Sequence, residues 1–308
     1  MTYQASSAPQ SIGGVLDDWL RLFSASFSRC WILALITVAA GAIAVFAVTP
    51  TLPPLNASAW QHEMVMWSLM NGPQNALASL ALVLIIMVIT GALFATQIRT
   101  MQGGSLDAGA ALNVGLHRVL RLILGLILQG LITVAIAIPI IVVGVVVAVL
   151  FHVDRATLTH PLPWVLIAVL GIASACVFIY VSVRLLLWQA AVFVEDAGAA
   201  AALGRSWRLV KGHWWRVTGI LFVANIVIGI LGYVVPWALS AAFGLFSLHA
   251  VAQSQLGIHL RVAQMLSQTA HLLTLPLSSA ISLVIFRDLT LRVEGADLAA
   301  RAEALGAP

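Results

Sequence analysis

The residues best able to do chemistry lie between positions 184 and 216, where arginine, glutamate and tryptophan recur. Arg184 is followed by ten uncharged residues before Glu195, which places it near membrane depth, where a guanidinium is costly and usually paired or functional. We interpret Arg184 as snorkelling to the cytoplasmic headgroups. The alternatives are a buried ion pair with Glu195 or Asp288, or a ligand for the phosphate of a lipid headgroup.

The stretch 205–216, called here the basic belt, combines four cations with three tryptophans. Tryptophan favours the headgroup level and cations favour anionic lipid, so the pattern is typical of a helix lying on the inner leaflet. Ordinary anchoring is the simpler interpretation, and a specific headgroup site is the alternative. The belt residues are Arg205, Trp207, Arg208, Lys211, Trp214, Trp215 and Arg216.

Four polar side chains interrupt the apolar runs of the chain. Gln129 and Asn225 are interpreted as hydrogen-bond partners between helices, and Gln268 and His271 could bond across helices in the same way. The alternative is a polar path for a transported solute. The predicted spans contain no Asp or Glu, which argues against an ion-coupled pump because such pumps usually rely on intramembrane acids.

Enzyme signatures are missing from the sequence. It contains no HExxH, no Gly-x-Ser-x-Gly and no P-loop, so we expect a non-enzymatic protein without a catalytic residue, metal or cofactor. His62 lies near Met64, Met66 and Met70, and imidazole with thioethers suits copper(I). We interpret that segment instead as an apolar interfacial helix.

The composition indicates a single membrane domain over residues 1–308. Of the 308 residues, 61% are hydrophobic and 8% charged, whereas soluble domains are about 25% charged. The net charge of +4 does not indicate nucleic-acid binding, because the basic residues sit beside apolar runs rather than on a soluble face. Membrane lipids are therefore the expected partners, with other membrane or cytoplasmic proteins as further candidates.

Six apolar stretches have the length that a membrane-crossing helix needs, about 20 residues. They are 31–49, 76–98, 122–151, 163–183, 217–248 and 262–286. The third and fifth exceed one crossing, and Pro139 and Pro236 are candidate kink points. An all-α membrane bundle is therefore predicted.

The basic residues predict that both termini are cytoplasmic, because Lys and Arg concentrate on that side of a membrane. With the N-terminus inside, thirteen of the fifteen Lys and Arg residues fall on the cytoplasmic side. Only Arg155 and Arg261 fall on the other side. The same bias favours an even number of spans.

An amphipathic stretch precedes each pair of spans, and this pattern predicts three hairpin repeats. The repeats cover about 11–100, 105–194 and 197–290. A short cytoplasmic tail, 291–308, follows them. The apolar positions recur with offsets of 4, 7 and 11. They are Leu16, Leu20, Phe23 and Phe27; Leu112, Leu116, Val119 and Ile123; and Leu203, Trp207, Val210 and Trp214.

The stretch 184–222 also resembles the membrane domain of bacterial glycerophosphoryl diester phosphodiesterases and related stand-alone six-helix proteins. The positions that carry the resemblance are Arg184, Glu195, Arg205, Ser206, Trp207, Leu209, Lys211 and Gly212. In the enzymes a separate soluble barrel is catalytic, and the sequence contains no such barrel. The resemblance therefore implies a membrane module without esterase activity.

Together these features predict a non-enzymatic protein of the bacterial inner membrane that organises or handles lipid at the cytoplasmic leaflet. The alternative is a transporter or permease for a small uncharged or amphiphilic solute. Its path would use Gln129, Asn225, Gln268 and His271.

Overall fold

The computed structural model describes residues 3, 8–48, 60–150, 161–242 and 262–304, and all regular secondary structure in these ranges is helical. The helices are α1 Ile12–Val48, α2 Trp60–Met101, α3 Ala108–Leu150, α4 Pro161–Leu185, α5 Trp188–Val194, α6 Ala199–Val210 and α7 Trp214–Ala242. A helical segment at 262–267 leads through the 3-10 turn Gln268–Ala270 into α8, His271–Ala304. The predicted all-α class is confirmed.

Six helical segments within the described ranges are long and apolar enough to cross a membrane, and each overlaps one predicted span. They are Ile12–Val45, Ala76–Met101, Ala108–Val145, Ala168–Val194, Trp214–Ala242 and Val262–Gly295. The protein is therefore a multi-pass membrane protein. Pro139 and Pro236 lie inside α3 and α7, which continue on both sides of them.

The amphipathic stretches before the first two hairpins are continuous with the spans that follow, because α1 and α3 each run through both parts. The third stretch forms a separate helix, α6, since the chain turns between Val210 and Trp214. Gly212 has φ +87° in this turn, a conformation that suits glycine because it has no Cβ.

The outer surface of the helices is apolar in the way that a lipid environment requires. Leu131, Ile138 and Ile141 on α3 are all more than half exposed. Exposure of this apolar surface to water would be unfavourable, whereas lipid hydrocarbon solvates it. The exposure therefore agrees with helices that face the bilayer.

One compact unit comprises Met1–Leu120 and Gly219–Arg292. Its core packs α1 and α2 against the start of α3, through Cys30, Leu33, Ile89, Ala92, Leu93 and Ala111. Trp19 on α1 donates its indole N–H to the Leu277 carbonyl of α8 over 2.9 Å, and Gln97 on α2 donates to the Pro276 carbonyl over 2.8 Å. These bonds join α1 and α2 to α8 in the interior.

Within this unit, Gln10 fastens the N-terminal segment to the middle of α8. The Gln10 backbone N–H donates to Asp288 over 2.9 Å, and its side chain donates to Asp18 over 2.7 Å. Arg292 donates to the Gln10 carbonyl and pairs with Asp288 at 3.0 Å. Because Asp18 and Asp288 are both buried, these bonds satisfy carboxylates that burial would otherwise penalise.

The second compact unit comprises Arg121–Thr218 and Val293–Pro308. Here Gly125 on α3 leaves room for the Trp188 ring, which a Cβ at this position would overlap. Trp188 at the start of α5 donates its indole N–H to the Gln129 side-chain oxygen over 2.7 Å. Small residues and polar bonds of this kind allow close packing between membrane helices.

Candidate functional site

The candidate site is the second unit's chain of short elements from the end of α4 to the start of α7. The turn after α5 is pinned by Asp196, which has φ +54° and accepts a hydrogen bond from Arg121 over 2.6 Å. Helix α6 then buries one face, including Leu203 and Leu209. Its other face carries exposed residues of the basic belt.

Ser206 joins α6 to the junction between α4 and α5. Its hydroxyl donates to the Arg184 carbonyl over 2.8 Å and accepts from the Leu187 backbone N–H over 3.0 Å. Both groups lie where helical hydrogen bonding is interrupted, so they need another partner. Ser206 supplies it from a fully buried position.

Arg205 is held by two carboxylates. Its guanidinium donates to Glu195 at 2.9 Å and to Glu294 in the C-terminal part of α8. Burial lowers the pKa of Arg205, but hydrogen bonds and charges from Glu195 and Glu294 outweigh it and raise the pKa above its ordinary value. Arg205 therefore stabilises the local fold and is not a free cation on the belt.

Arg184 is buried, with 8% of its surface exposed, so the snorkelling interpretation is wrong. Its guanidinium donates to the Tyr180 hydroxyl at 2.6 Å and to the Trp207 carbonyl at 3.2 Å. The guanidinium carbon also lies 5.0 Å from the centroid of the Tyr180 ring and 4.7 Å from that of the Trp207 ring. We call these three residues the Arg184 cage.

The alternative of an ion pair between Arg184 and Glu195 or Asp288 is not found among the described residues. Glu195 pairs with Arg205, and Asp288 pairs with Arg292. The Arg184 Nε atom is buried and has no hydrogen-bond partner among the residues that the structure describes. A buried charge without a carboxylate is costly, and cation–π contacts recover part of that cost.

Further polar atoms without partners in the described structure lie at or just before the start of α7, where Trp214 packs against the cage. The Trp214 ring is 5.8 Å from the Tyr180 ring, and its indole nitrogen has no acceptor in the described part of the chain. His213 Nδ1 and Thr218 Oγ1 are also buried without a hydrogen-bond partner among the described residues. Buried polar groups are normally bonded, so this concentration is unusual.

The remaining belt residues differ in how far they face outward. Arg208, Lys211 and Trp215 are exposed, with Trp215 at 82%. Arg216 is partly buried and makes an interaction of its own. The outward charge of the belt is therefore carried by Arg208 and Lys211, directly before a membrane-spanning helix.

The four intramembrane polar residues have separate surroundings. Gln129 bonds Trp188, as described above, whereas Asn225 donates to the Leu221 carbonyl of its own helix. The Gln268 side chain packs directly against Gly41. His271 Nδ1 is buried without a partner among the described atoms.

Tyr180 and Glu294 belong to the site but were not singled out in the sequence. Tyr180 lies four residues before Arg184, hence on the same face of α4, and this spacing was the available signal. Glu294 lies 89 residues from Arg205, and nothing local indicates that pair.

Comparison with known proteins adds a family but no activity. No curated protein matches the chain, and no solved structure matches it. A family model described as a domain of unknown function, DUF7847, matches residues 42–289. Since this match covers most of the sequence, the chain belongs to the DUF7847 family.

Proposed function

We propose that this protein is a non-enzymatic multi-pass protein of the bacterial inner membrane that organises or handles lipid at the cytoplasmic leaflet. The observation that carries the proposal is that one side of the basic belt exposes a tryptophan together with two cations. Trp215, Arg208 and Lys211 are exposed together at the point where α6 gives way to the spanning helix α7.

Each component of this surface suits the headgroup region of an anionic membrane. A tryptophan at the head of a spanning helix partitions to the interface. Each Lys or Arg near an anionic surface adds about 1 kcal/mol of attraction. Because Arg205 is neutralised by Glu195 and Glu294, the lipid contact is assigned to Arg208 and Lys211.

The proposed topology places both termini and the belt in the cytoplasm, on the strength of the thirteen-to-two distribution of basic residues. We also retain the single membrane domain, built as three hairpin repeats with amphipathic cytoplasmic segments, as part of the proposal. The separate helix α6 supports it for the third repeat. In the first two repeats the corresponding amphipathic segment is the first part of α1 and of α3, continuous with the span.

The resemblance to the membrane domains of glycerophosphoryl diester phosphodiesterases also remains a proposal. Five of its eight motif residues are joined by hydrogen bonds or by adjacency in the chain. Ser206 and Trp207 contact Arg184, while Arg205 contacts Glu195. This unit is compatible with a shared membrane module, whose role would be carried by lipid contacts.

Native mass spectrometry of the purified full chain tests the lipid proposal. The double variant Arg208→Gln with Lys211→Gln should bind phosphatidylglycerol about 25-fold more weakly, since two charges contribute about 2 kcal/mol. The matched control is Arg155→Gln with Arg261→Gln, which removes the same charge from the proposed outer side and should leave binding unchanged. Equal lipid retention in all three proteins would overturn the proposal.

A transporter for a small uncharged or amphiphilic solute is the second candidate, favoured by the interrupted sixth span. The helix at 262–267 gives way to a 3-10 turn before α8 begins at His271, and broken helices often mark substrate sites in transporters. Gln97 Oε1 and His271 Nδ1 are buried without partners in the described structure, so they could bond a solute.

Glycerol flux into proteoliposomes tests this second candidate. The chain should raise the flux above that of protein-free vesicles, and Gln97→Leu should reduce it. The Asn225 side chain bonds its own helix, so we leave Asn225 out of the path. The variant Asn225→Leu is therefore the matched control and should leave the flux unchanged. Flux equal to that of empty vesicles would refute transport of this solute class.

A further inference from the structure

We propose that the Arg184 cage and the start of α7 form a binding site for a phosphate group, carried by a lipid headgroup or by a soluble phosphate. The inference rests on the proposed function, because it names the chemical group that the inner-face site recognises. The residues concerned are Arg184, Tyr180, Trp207, His213, Trp214 and Thr218.

The first argument is the charge of Arg184. It is more than nine-tenths buried, yet no carboxylate within the described ranges pairs with it. Two hydrogen bonds to neutral oxygens satisfy part of the guanidinium, and Nε–H has no acceptor in the described part of the chain. An anion that accepted the remaining N–H groups would relieve the cost of this unpaired charge.

The second argument is that the start of α7, where Trp214 packs against the cage, carries hydrogen-bonding groups that are unused within the described residues. Trp214 Nε1–H and the Thr218 hydroxyl are one helical turn apart, and therefore on the same face of α7. Neither has a partner in the part of the chain that the structure describes. The Tyr180 ring contacts both Arg184 and Trp214, so it connects the two sets of donors.

Phosphate is the anion that this set suits best. A planar guanidinium matches the spacing of phosphate oxygens and binds them through paired N–H groups. The neutral donors of Trp214 and Thr218 can bond further oxygens, and the first turn of α7 adds a favourable helix dipole. A carboxylate, with two oxygens, offers fewer acceptor sites than a phosphate and spreads them over a single plane.

Access to the site requires movement of one side chain. Arg184 Nε is buried, and the Tyr180 and Trp207 rings lie against the guanidinium. Trp207 is 38% exposed, whereas Arg184 beneath its ring is buried. A phosphate therefore enters as this ring turns aside, at the level where the adjacent belt holds anionic headgroups.

Binding to the full chain in maltoside micelles tests the proposal, because these micelles contain no phosphate. The probes are dioleoyl phosphatidic acid, oleate as an anionic amphiphile without phosphate, and inorganic phosphate. Native mass spectrometry gives the affinities. We expect phosphatidic acid to bind at least about tenfold more tightly than oleate, a difference of about 1.4 kcal/mol.

Two variants distinguish phosphate recognition from a structural role. Arg184→Lys keeps the charge but loses the paired N–H groups, and should abolish the preference for phosphatidic acid over oleate. Thr218→Val removes a hydroxyl that bonds nothing in the described structure, so the variant should fold with unchanged helicity and melting temperature while binding phosphatidic acid several-fold more weakly. Unchanged preference in both variants would overturn the inference.

Two further measurements identify the source of the phosphate and test the proposed function independently of the cage. Competition by millimolar inorganic phosphate would identify a soluble phosphate as a ligand, and its failure to compete would assign the site to the lipid headgroup; both support phosphate recognition. The double variant Arg208→Gln with Lys211→Gln should weaken phosphatidic acid and oleate equally. Loss of preference in that variant alone would contradict the cage as the selective site.

Discussion

Replacing Ser206 by alanine should destabilise the junction between α4 and α5. The Ser206 hydroxyl is fully buried and bonds the Arg184 carbonyl and the Leu187 backbone N–H. Its removal breaks two hydrogen bonds and leaves a buried donor and a buried acceptor without a partner. At roughly 1 kcal/mol or more for each unsatisfied group, the expected loss in the free energy of unfolding is about 2–4 kcal/mol.

Unfolding of the purified protein in mixed detergent micelles, followed by circular dichroism, measures this loss. The matched control is Ser174→Ala on α4, whose hydroxyl bonds the Leu170 carbonyl of its own helix. That carbonyl keeps its helical partner, so the control should change the free energy by less than about 0.5 kcal/mol. Equal effects for the two variants would refute the structural role given to Ser206.

Three further substitutions test the packing of the described helices. Gly212→Ala should cost about 1–2 kcal/mol of unfolding free energy because its φ is +87°. Gly198→Ala, where φ is −69°, should cost clearly less, because the preference of the N-cap for glycine is offset by the lower entropy of the unfolded chain. Equal costs would contradict the turn. Gly125→Ala should displace the Trp188 ring and destabilise by about 1–3 kcal/mol, with a change in tryptophan fluorescence; an unchanged spectrum and stability would contradict this packing. Trp19→Phe should cost about 1 kcal/mol by losing its indole hydrogen bond, and a melting temperature equal to that of the wild type would count against that bond.

The spans could be predicted from the sequence because the requirement for them is local. Any helix that crosses hydrocarbon needs a long apolar run, whatever it packs against. Whether each amphipathic stretch forms a helix separate from the following span was harder to predict. Only the third is a separate helix, and Gly212 was the local signal for that break, since it occupies a left-handed turn.

The candidate site depended on contacts that sequence spacing does not determine. Glu195 is almost equally far along the chain from Arg184 and Arg205, yet it pairs with Arg205. Arg184 is instead enclosed by Tyr180, one turn away, and by Trp207 on another helix. The burial of Arg184 follows from that tertiary contact, and the length of the uncharged run after it could not decide between burial and snorkelling.

Photo-crosslinking tests the central claim most directly. A phosphatidylglycerol with a photoreactive headgroup, incorporated with the full chain in nanodiscs, would label the residues in contact with it, and mass spectrometry of the digest would locate them. Labelling is predicted to concentrate within 205–216 and to fall strongly in the double variant Arg208→Gln with Lys211→Gln. Labelling spread evenly over the cytoplasmic and outer segments, and unchanged in that variant, would contradict a lipid-handling role for the basic belt.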